Sequence, residues 1–553
     1  MNLLLANSRA QDLNALKNEL LSSKFYENPK WLALLHYEKG KSHIQKDSNF
    51  FLSKNGHKSP KDEYIATINA FFNDKESKIL CEYPARFYFL AQQNANLSKL
   101  IDTSKCEALN DFLSIVPVDT ILLEFAAESE IYPGSSMGHI FLHLQGVIKK
   151  DFNKSIENRA FVRKEGDKQD YAMSYFAIMS EFFNPLDYAK ALSGTLKGSY
   201  ALNPYDNAEL DYLENEKRSL YVFKIRANEA QIHLFTLHLW ELKNKHIDYN
   251  FITHNCTNGI ENILAVLDNA FIYETYKPFI TPTQYIQYLT SIDKIELVEL
   301  KIPPQKQIFN AKFGNNDILN QRDSSKFAFG VAKNQGFLYF APIYSDIKNA
   351  NNAYKEFTHS RLASIEARIS RLSSKDKYKF SLHKIELLEL FSIADTLRTK
   401  SLSKLISVRF EPNLYEYKKG VYTSHFNKDT RLFPNLDLGL GVGTYAGAFG
   451  FYALGNLGYR FELIHNPYLS LKSGFVGQFE RVKIIGEYQI YYDLNANNRG
   501  YDNQLSLFAG FHLFKQIDIF AEFNAFKSLF HHTKPFYESK DSMNFKIGLS
   551  KNF

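Results

Sequence analysis

At 553 residues the chain is too long for one hydrophobic core, and two to four domains are expected. Sixty-six Lys and Arg against 60 Asp and Glu leave a formal charge of only +6, and the basic residues are scattered, which removes nucleic acid from the expected partners. Mean hydropathy is negative and no stretch nears the roughly 18–20 apolar residues of a membrane helix, so helical membrane proteins are excluded while alternating membrane strands are not.

The chain opens on Leu3-Leu4-Leu5-Ala6 followed by Ser8-Arg9-Ala10. That reads as the tail of a secretory signal or as an ordinary N-terminal segment. Asp12 to Leu21 carries Leu13, Leu16, Leu20 and Leu21 at helical spacing, and Trp31 to His36 gives a second short apolar stripe. Ser59-Pro60 predicts a helix start, with Ser59 as N-cap and Pro60 in the first helical position. Cys81-Glu82-Tyr83-Pro84-Ala85-Arg86 begins another segment. Residues 1–115 therefore read as an N-terminal helical region. Cys81 and Cys106 are placed to bridge in an oxidising compartment, which leaves Cys256 as the odd thiol.

Residues 116–300 mix strand and helix patterns. Strands are predicted over Ile121–Ala127, His139–Val147, Tyr171–Phe176 and Ser219–Ile225, and helices over Asn228–Lys243 and Cys256–Leu267. This is an α+β domain. Residues 301–325, with Pro303-Pro304 and Asn315-Asn316-Asp317, read as a linker. From 326 to 553 the texture is strict alternation. Val482, Ile484, Gly486, Tyr488 and Ile490 interleave with Arg481, Lys483, Ile485, Glu487 and Gln489. Ile517, Ile519, Ala521, Phe523 and Ala525 interleave with Gln516, Asp518, Phe520, Glu522 and Asn524. Met543, Phe545, Ile547, Leu549 and Phe553 share the last parity. Strands of about ten residues, polar turns and a terminal phenylalanine predict an antiparallel transmembrane β-barrel of about 10–12 strands. The aromatic share of 15% suits lipid contact, although a codon bias toward Phe and Tyr would also raise it.

Two segments carry the candidate chemistry. Pro133-Gly134-Ser135-Ser136-Met137-Gly138-His139 delivers an imidazole to the start of a strand. Thr253-His254-Asn255-Cys256 delivers a thiol to the start of a helix, with Asn255 as N-cap. A helix N-terminus stabilises a thiolate, and its amides can bind an oxyanion. The other readings are a buried, inert Cys256 and a zinc site of His139, His143 and Cys256; the strand-like run after His139 disfavours the zinc site. Ser135 and Ser136 shape a tight turn, and Ser136 is a further oxyanion candidate alongside Asn255.

Taken with Trp31…His36-Tyr37, Phe50-Phe51-Leu52-Ser53, Gly194-Thr195-Leu196-Lys197-Gly198, Tyr205, Tyr212, Glu216-Lys217-Arg218 and Tyr249-Asn250-Phe251-Ile252, these segments in this order resemble the Lnb-type periplasmic domain family. That family is named for an N-acyltransferase of bacterial lipoproteins, and its long Gram-negative members carry a similar β-rich C-terminal region. The resemblance implies a permuted papain-like (NlpC-like) fold, with Cys256 as nucleophile and His139 as general base. The orienting residue does not transfer; His143, Ser174 and Tyr171 stand near the required place. Tyr132 and Met137 depart from the family's usual Asn and aromatic residue, which puts the shape of the acyl pocket in question.

The expected protein is a cysteine-dependent acyltransferase or hydrolase anchored in the outer membrane. It would act on lipoprotein or lipid acyl groups on the periplasmic side, with outer-membrane lipid and lipoproteins as partners and with no metal or other cofactor. Peptidoglycan peptides are the alternative substrate. A non-enzymatic protein whose periplasmic domain binds a partner or plugs the barrel is the alternative function.

Overall fold

The computed structural model describes residues 2–46, 49–74, 76–127, 138–156, 159–178, 190, 194, 196–275, 279–303, 322–333, 335–345, 347–348, 358–372, 377–412, 416–418, 421–423, 432–446, 448–461, 465–479, 481–494, 500–514, 516–531, 537–538 and 542–553. Two compact units are present. One comprises Met1–Phe125, His139–Asp211 and Leu220–Lys301; the other comprises Ala126–Gly138, Tyr212–Ser219 and Ile302–Phe553.

The first unit begins with helices α1 (Asn2–Ser22), α2 (Pro29–Leu34), α3 (Pro60–Asn73), α4 (Lys78–Glu82), α5 (Pro84–Gln93), α6 (Ala95–Ser98) and α7 (Glu107–Ile115). Ser59 caps α3 as its sequence predicts: its hydroxyl accepts from the Asp62 amide at 3.1 Å, and Pro60 follows. Trp31 is fully buried and meets Tyr64 edge-on at 5.4 Å. The expected disulfide between Cys81 and Cys106 is present and closes a loop of 25 residues. A loop of that size stabilises the fold by about 3.5 kcal/mol through the entropy it removes from the unfolded chain.

A buried charge hub fastens this helical region to a later helix. Arg86 is wholly buried. Its Nη1 lies 2.5 Å from Glu63 Oε1, its Nε 3.3 Å from Glu241 Oε2, and its Nη2 donates to the Phe50 carbonyl at 2.8 Å. The Tyr83 and Phe50 rings sit 4.3 and 4.4 Å from the guanidinium carbon. Glu63 also accepts from the amides of Leu52 and Ser53. One guanidinium therefore satisfies two carboxylates that could not be buried alone.

Beyond α7 the unit builds a seven-stranded sheet from β1 (Thr120–Ala126), β2 (His139–Val147), β3 (Lys168–Ala177), β4 (Leu196–Pro204), β5 (Leu220–Ile225), β6 (Ile247–Tyr249) and β7 (Ile295–Lys301). Their spatial order is β6-β4-β3-β2-β1-β5-β7. Helices α8 (Tyr205–Leu210), α9 (Glu229–Glu241), α10 (Cys256–Leu264) and α11 (Pro282–Ser291) complete it. The strands and helices expected over 121–147 and 219–267 appear within a few residues of their predicted bounds, because their hydrophobic periods are strong. The short strand pair Phe152–Ile156 with Arg159–Arg163, and strands β4 and β7, were not evident from sequence.

The second unit is a closed barrel of β8 (Lys326–Ala332), β9 (Gln335–Ala341), β10 (Thr358–Leu372), β11 (Lys377–Ser392), β12 (Ser403–Pro412), β13 (Leu432–Ala446), β14 (Phe449–Phe461), β15 (His465–Gln478), β16 (Val482–Asp493), β17 (Gly500–Phe514), β18 (Ile517–His531) and β19 (Ser542–Asn552). The sheet holds 13 strands, of which Ile343–Ser345 merely extends β9 along β10, leaving twelve staves. Closure is explicit: Gly336 pairs with Ile369 across β9 and β10, and Lys326 pairs with Asn552 across β8 and the C-terminal strand. The alternation read from sequence sorts as expected. Met543, Phe545, Ile547 and Leu549 are exposed, whereas Ser550 and Asn552 are buried. Among the described residues no helix is long and apolar enough to cross a membrane.

Candidate functional site

Cys256 is the first residue of α10 and is half-buried, and it lies outside the disulfide. Asn255 caps the helix: its side chain accepts from the Thr257 amide at 2.8 Å, while Asn258 returns a bond to the Asn255 amide at 3.2 Å. The Asn255 carboxamide nitrogen reaches the Ile280 carbonyl at 3.4 Å. The cap therefore occupies both ends of the Asn255 side chain, and this residue starts the helix in the structure.

Helix α10 packs on β2 and β3. The approach is close at Gly259, where a Cβ would come within 2.2 Å of the Tyr175 ring. Tyr200 donates to the Gly259 carbonyl at 2.6 Å and Tyr175 donates to the Asp248 carbonyl at 2.7 Å, so two phenols lock the helix and β6 onto the sheet. Tyr175 and Tyr249, with rings 5.7 Å apart, both lie within electrostatic range of Cys256. Burial pushes both phenols well above the ordinary tyrosine range, and negative charge on Cys256 would add to this, so they stay neutral hydrogen-bond donors. Aromatic spacing alone gave no signal for them.

His139 is the first residue of β2 and is half-buried, with Gly138 just before it at φ +77°. Leu142 is the first β2 residue paired with β3, opposite Met173. Alternation places Leu142, Met173 and Tyr175 on the face covered by α10 and His143 on the other. There His143 stacks on Tyr205 at 3.5 Å, and its Nδ1 bonds Glu124 at 2.8 Å. Its Nε2 lies 3.2 Å from the Asp170 carboxylate. Tyr205 in turn donates to Glu124 at 3.1 Å. His143 thus belongs to a buried network on the face away from α10. Tyr171 is committed to the Ile115 carbonyl at 3.0 Å. Ser136, with the turn from Pro133 to Met137, lies outside the described residues.

A second imidazole group flanks the helix start. His254, 2% exposed, stacks on His43 with ring centroids 3.8 Å apart and planes 15° apart. His43 bonds Glu38 at 2.9 Å. Burial, with His43 alongside, holds His254 well below the ordinary histidine range. The His43 hydrogen bond draws Glu38 down to about 2. Donor atoms of Glu38, His43 and His254 lie within 4.8 Å of one another. Two nearly parallel stacked rings have no common in-plane point for one ion, so in these rotamers the trio is an acid–imidazole stack rather than a metal cage. His254 is far in sequence from Glu38 and His43, which is why sequence reading missed the stack.

Glu261, one turn further along α10, accepts from the Tyr273 amide at 2.6 Å and from Asn258 at 3.3 Å. Burial nevertheless raises it from 4.5 to about 7. Because the folded carboxyl ionises later than the unfolded one, stability is unaffected below pH 4.5, falls as pH rises from 4.5 to about 7, and is level above that. The loss is on the order of 3 kcal/mol. Urea unfolding across this range should show the slope in the native chain and a flatter profile in Glu261→Gln; identical slopes would remove Glu261 as the cause.

A family model described as the Lnb N-terminal periplasmic domain matches residues 109–291, and one described as a domain of unknown function (DUF7843) matches residues 23–93. No curated protein matches the chain. Among solved structures, the NanC porin is 7% identical with a TM-score of 0.25, over 41% of this chain and all (100%) of that one. The KdgM porin is 8% identical with a TM-score of 0.22, over 41% of this chain and 98% of that one. OmpT of Vibrio cholerae is 7% identical with a TM-score of 0.21, over 78% of this chain and 95% of that one. Scores this low carry no weight, and the cellular placement follows from the closed barrel with its apolar exterior and from the periplasmic-domain match. Residues 109–291 are thus an Lnb-type periplasmic domain, carried in one chain with a C-terminal outer-membrane β-barrel.

Proposed function

We propose that the periplasmic part is a permuted papain-like, cysteine-dependent acyltransferase or hydrolase acting on lipid or lipoprotein acyl groups, with Cys256 as nucleophile and His139 as base. The observation that carries this reading is a thiol outside any disulfide, at the first position of a capped helix packed on the strand that His139 opens. The order of histidine strand before cysteine helix supports the permuted fold. By alternation His139 shares the parity of His143, so a common pocket with Cys256 requires β2 to turn its first side chain toward α10. That turn would fall in the three residues ahead of the β3 ladder, next to the left-handed Gly138.

In this reading His139 takes the thiol proton as Cys256 Sγ bonds to an ester carbonyl carbon. The tetrahedral intermediate expels the alkoxide, which leaves with the proton from His139, and a thioester remains. An amine or water then attacks the thioester and restores the thiol. Tyr249, kept neutral by burial and within electrostatic range of Cys256, is the phenolic donor assigned to the developing oxyanion in this reading.

The test is capture of the thioester. The full chain is incubated with phospholipid vesicles, or in parallel with peptidoglycan peptides, and then digested and weighed. A fatty-acyl mass on the Cys256 peptide, removed by hydroxylamine, is expected from the lipid arm. An adduct only from the peptide arm would replace the substrate, and no adduct from either would refute the thiol mechanism.

A further inference from the structure

We infer that the barrel is a sealed anchor that does not conduct ions. A twelve-stave barrel lies between small barrels that side chains fill and large ones that leave a channel, so the lumen contents decide the matter.

Two layers fill it. The first is apolar. Phe391, Tyr452, Val476, Ile485, Phe508 and Phe520 form one buried cluster inside the barrel. Ile347 and Ile393, from the segments joining β9 to β10 and β11 to β12, fold into the same cluster. These segments lie at the end where the chain enters β8 and leaves β19, so the cluster floors that end. Tyr445 donates to the Ile393 carbonyl and Ser403 Oγ accepts from the Ala394 amide at 3.0 Å, which fixes the inward fold.

The second layer is ionic. Lys348 meets Glu522 at 2.8 Å, Lys546 meets Glu366 at 2.8 Å, Lys472 meets Glu487 at 2.8 Å, and Arg361 meets Glu386 at 3.0 Å. The pairs Lys348–Glu522 and Lys546–Glu366 link strands or segments far apart in the chain. All four of those residues line both of the cavities described in the lumen, of about 360 and 110 Å³. They therefore stand as a partition between the two. Ile347, Ile485 and Phe508 line the larger cavity from below, so it is a cup with an apolar base. The cup holds on the order of a dozen waters at roughly 30 Å³ each. An ion leaving it would shed water against carbon on the floor or open a buried ion pair.

The experiment uses the full chain in lipid vesicles and planar bilayers, with KCl as the only permeant. Heat-modifiable gel migration of the same vesicles reports the folded barrel. The wild-type chain is expected to give no unitary steps and a KCl flux equal to that of protein-free vesicles. Phe508→Ala with Phe520→Ala, which removes two stacked rings of the floor, is expected to raise flux at least about tenfold. Reproducible unitary steps from the wild-type chain would overturn the inference, and so would a folded double variant as tight as the wild type. If the variant does not fold, the wild-type recording alone decides.

Discussion

Replacing Cys256 with alanine is expected to lower turnover by at least about 10⁴-fold while leaving the fold intact. The magnitude follows from the proposed role of Cys256 as covalent nucleophile, since residual rate would then rest on binding and oxyanion contacts alone. The fold is expected to survive because Cys256 is only half-buried and the cap that starts α10 is made by Asn255 and Asn258, not by the thiol. The change removes one sulfur, so stability should move by no more than about 1 kcal/mol. Release of acyl groups from phospholipid, followed with circular dichroism as a control, checks both parts. A variant that keeps more than a tenth of the activity would rule out covalent catalysis at this position.

Arg86→Ala is expected to produce the largest loss of stability in the periplasmic part, about 3–5 kcal/mol. Glu63 and Glu241 are both fully buried, and Arg86 is the cation that reaches them. Truncation leaves two carboxylates facing each other and opens the space under the Phe50 and Tyr83 rings. Arg86→Met with Glu63→Gln and Glu241→Gln should recover much of the loss, because neutral groups of similar volume remove the desolvation problem. Denaturant melts of the three proteins separate these contributions. Equal midpoints for wild type and Arg86→Ala would show that the hub is not a keystone. The hub ties α3 and α5, inside the stretch matched by the domain of unknown function, to α9 inside the Lnb match, so the two matched stretches share one buried network.

The parts legible from sequence were those written in local chemistry. Asn255 before Cys256 and Ser59 before Pro60 each announce a helix through a cap, and β2 appears at its predicted bounds because His139 to Val147 carries one uninterrupted strand pattern. The barrel was legible because side chains alternate with a period of two, whatever the pairing. Ile485 and Phe520 looked out of place on the polar parity; in the lumen they are 3% and 9% exposed and belong to the floor. What escaped was non-local. Nothing near His254 in sequence announces that His43 stacks on it, and nothing near His143 announces Glu124 and Tyr205. The facing of His143 depended on the register with β3, and register is set by pairing across the sheet.

The proposed pairing of His139 with Cys256 is tested most directly by the pH dependence of Cys256 alkylation with iodoacetamide, compared between the native chain and His139→Ala. Pairing predicts that the native thiol stays reactive down to about pH 6 and that the variant's profile moves toward the free-thiol value near ~8.5. Superimposable profiles, both with midpoints near ~8.5, would contradict it.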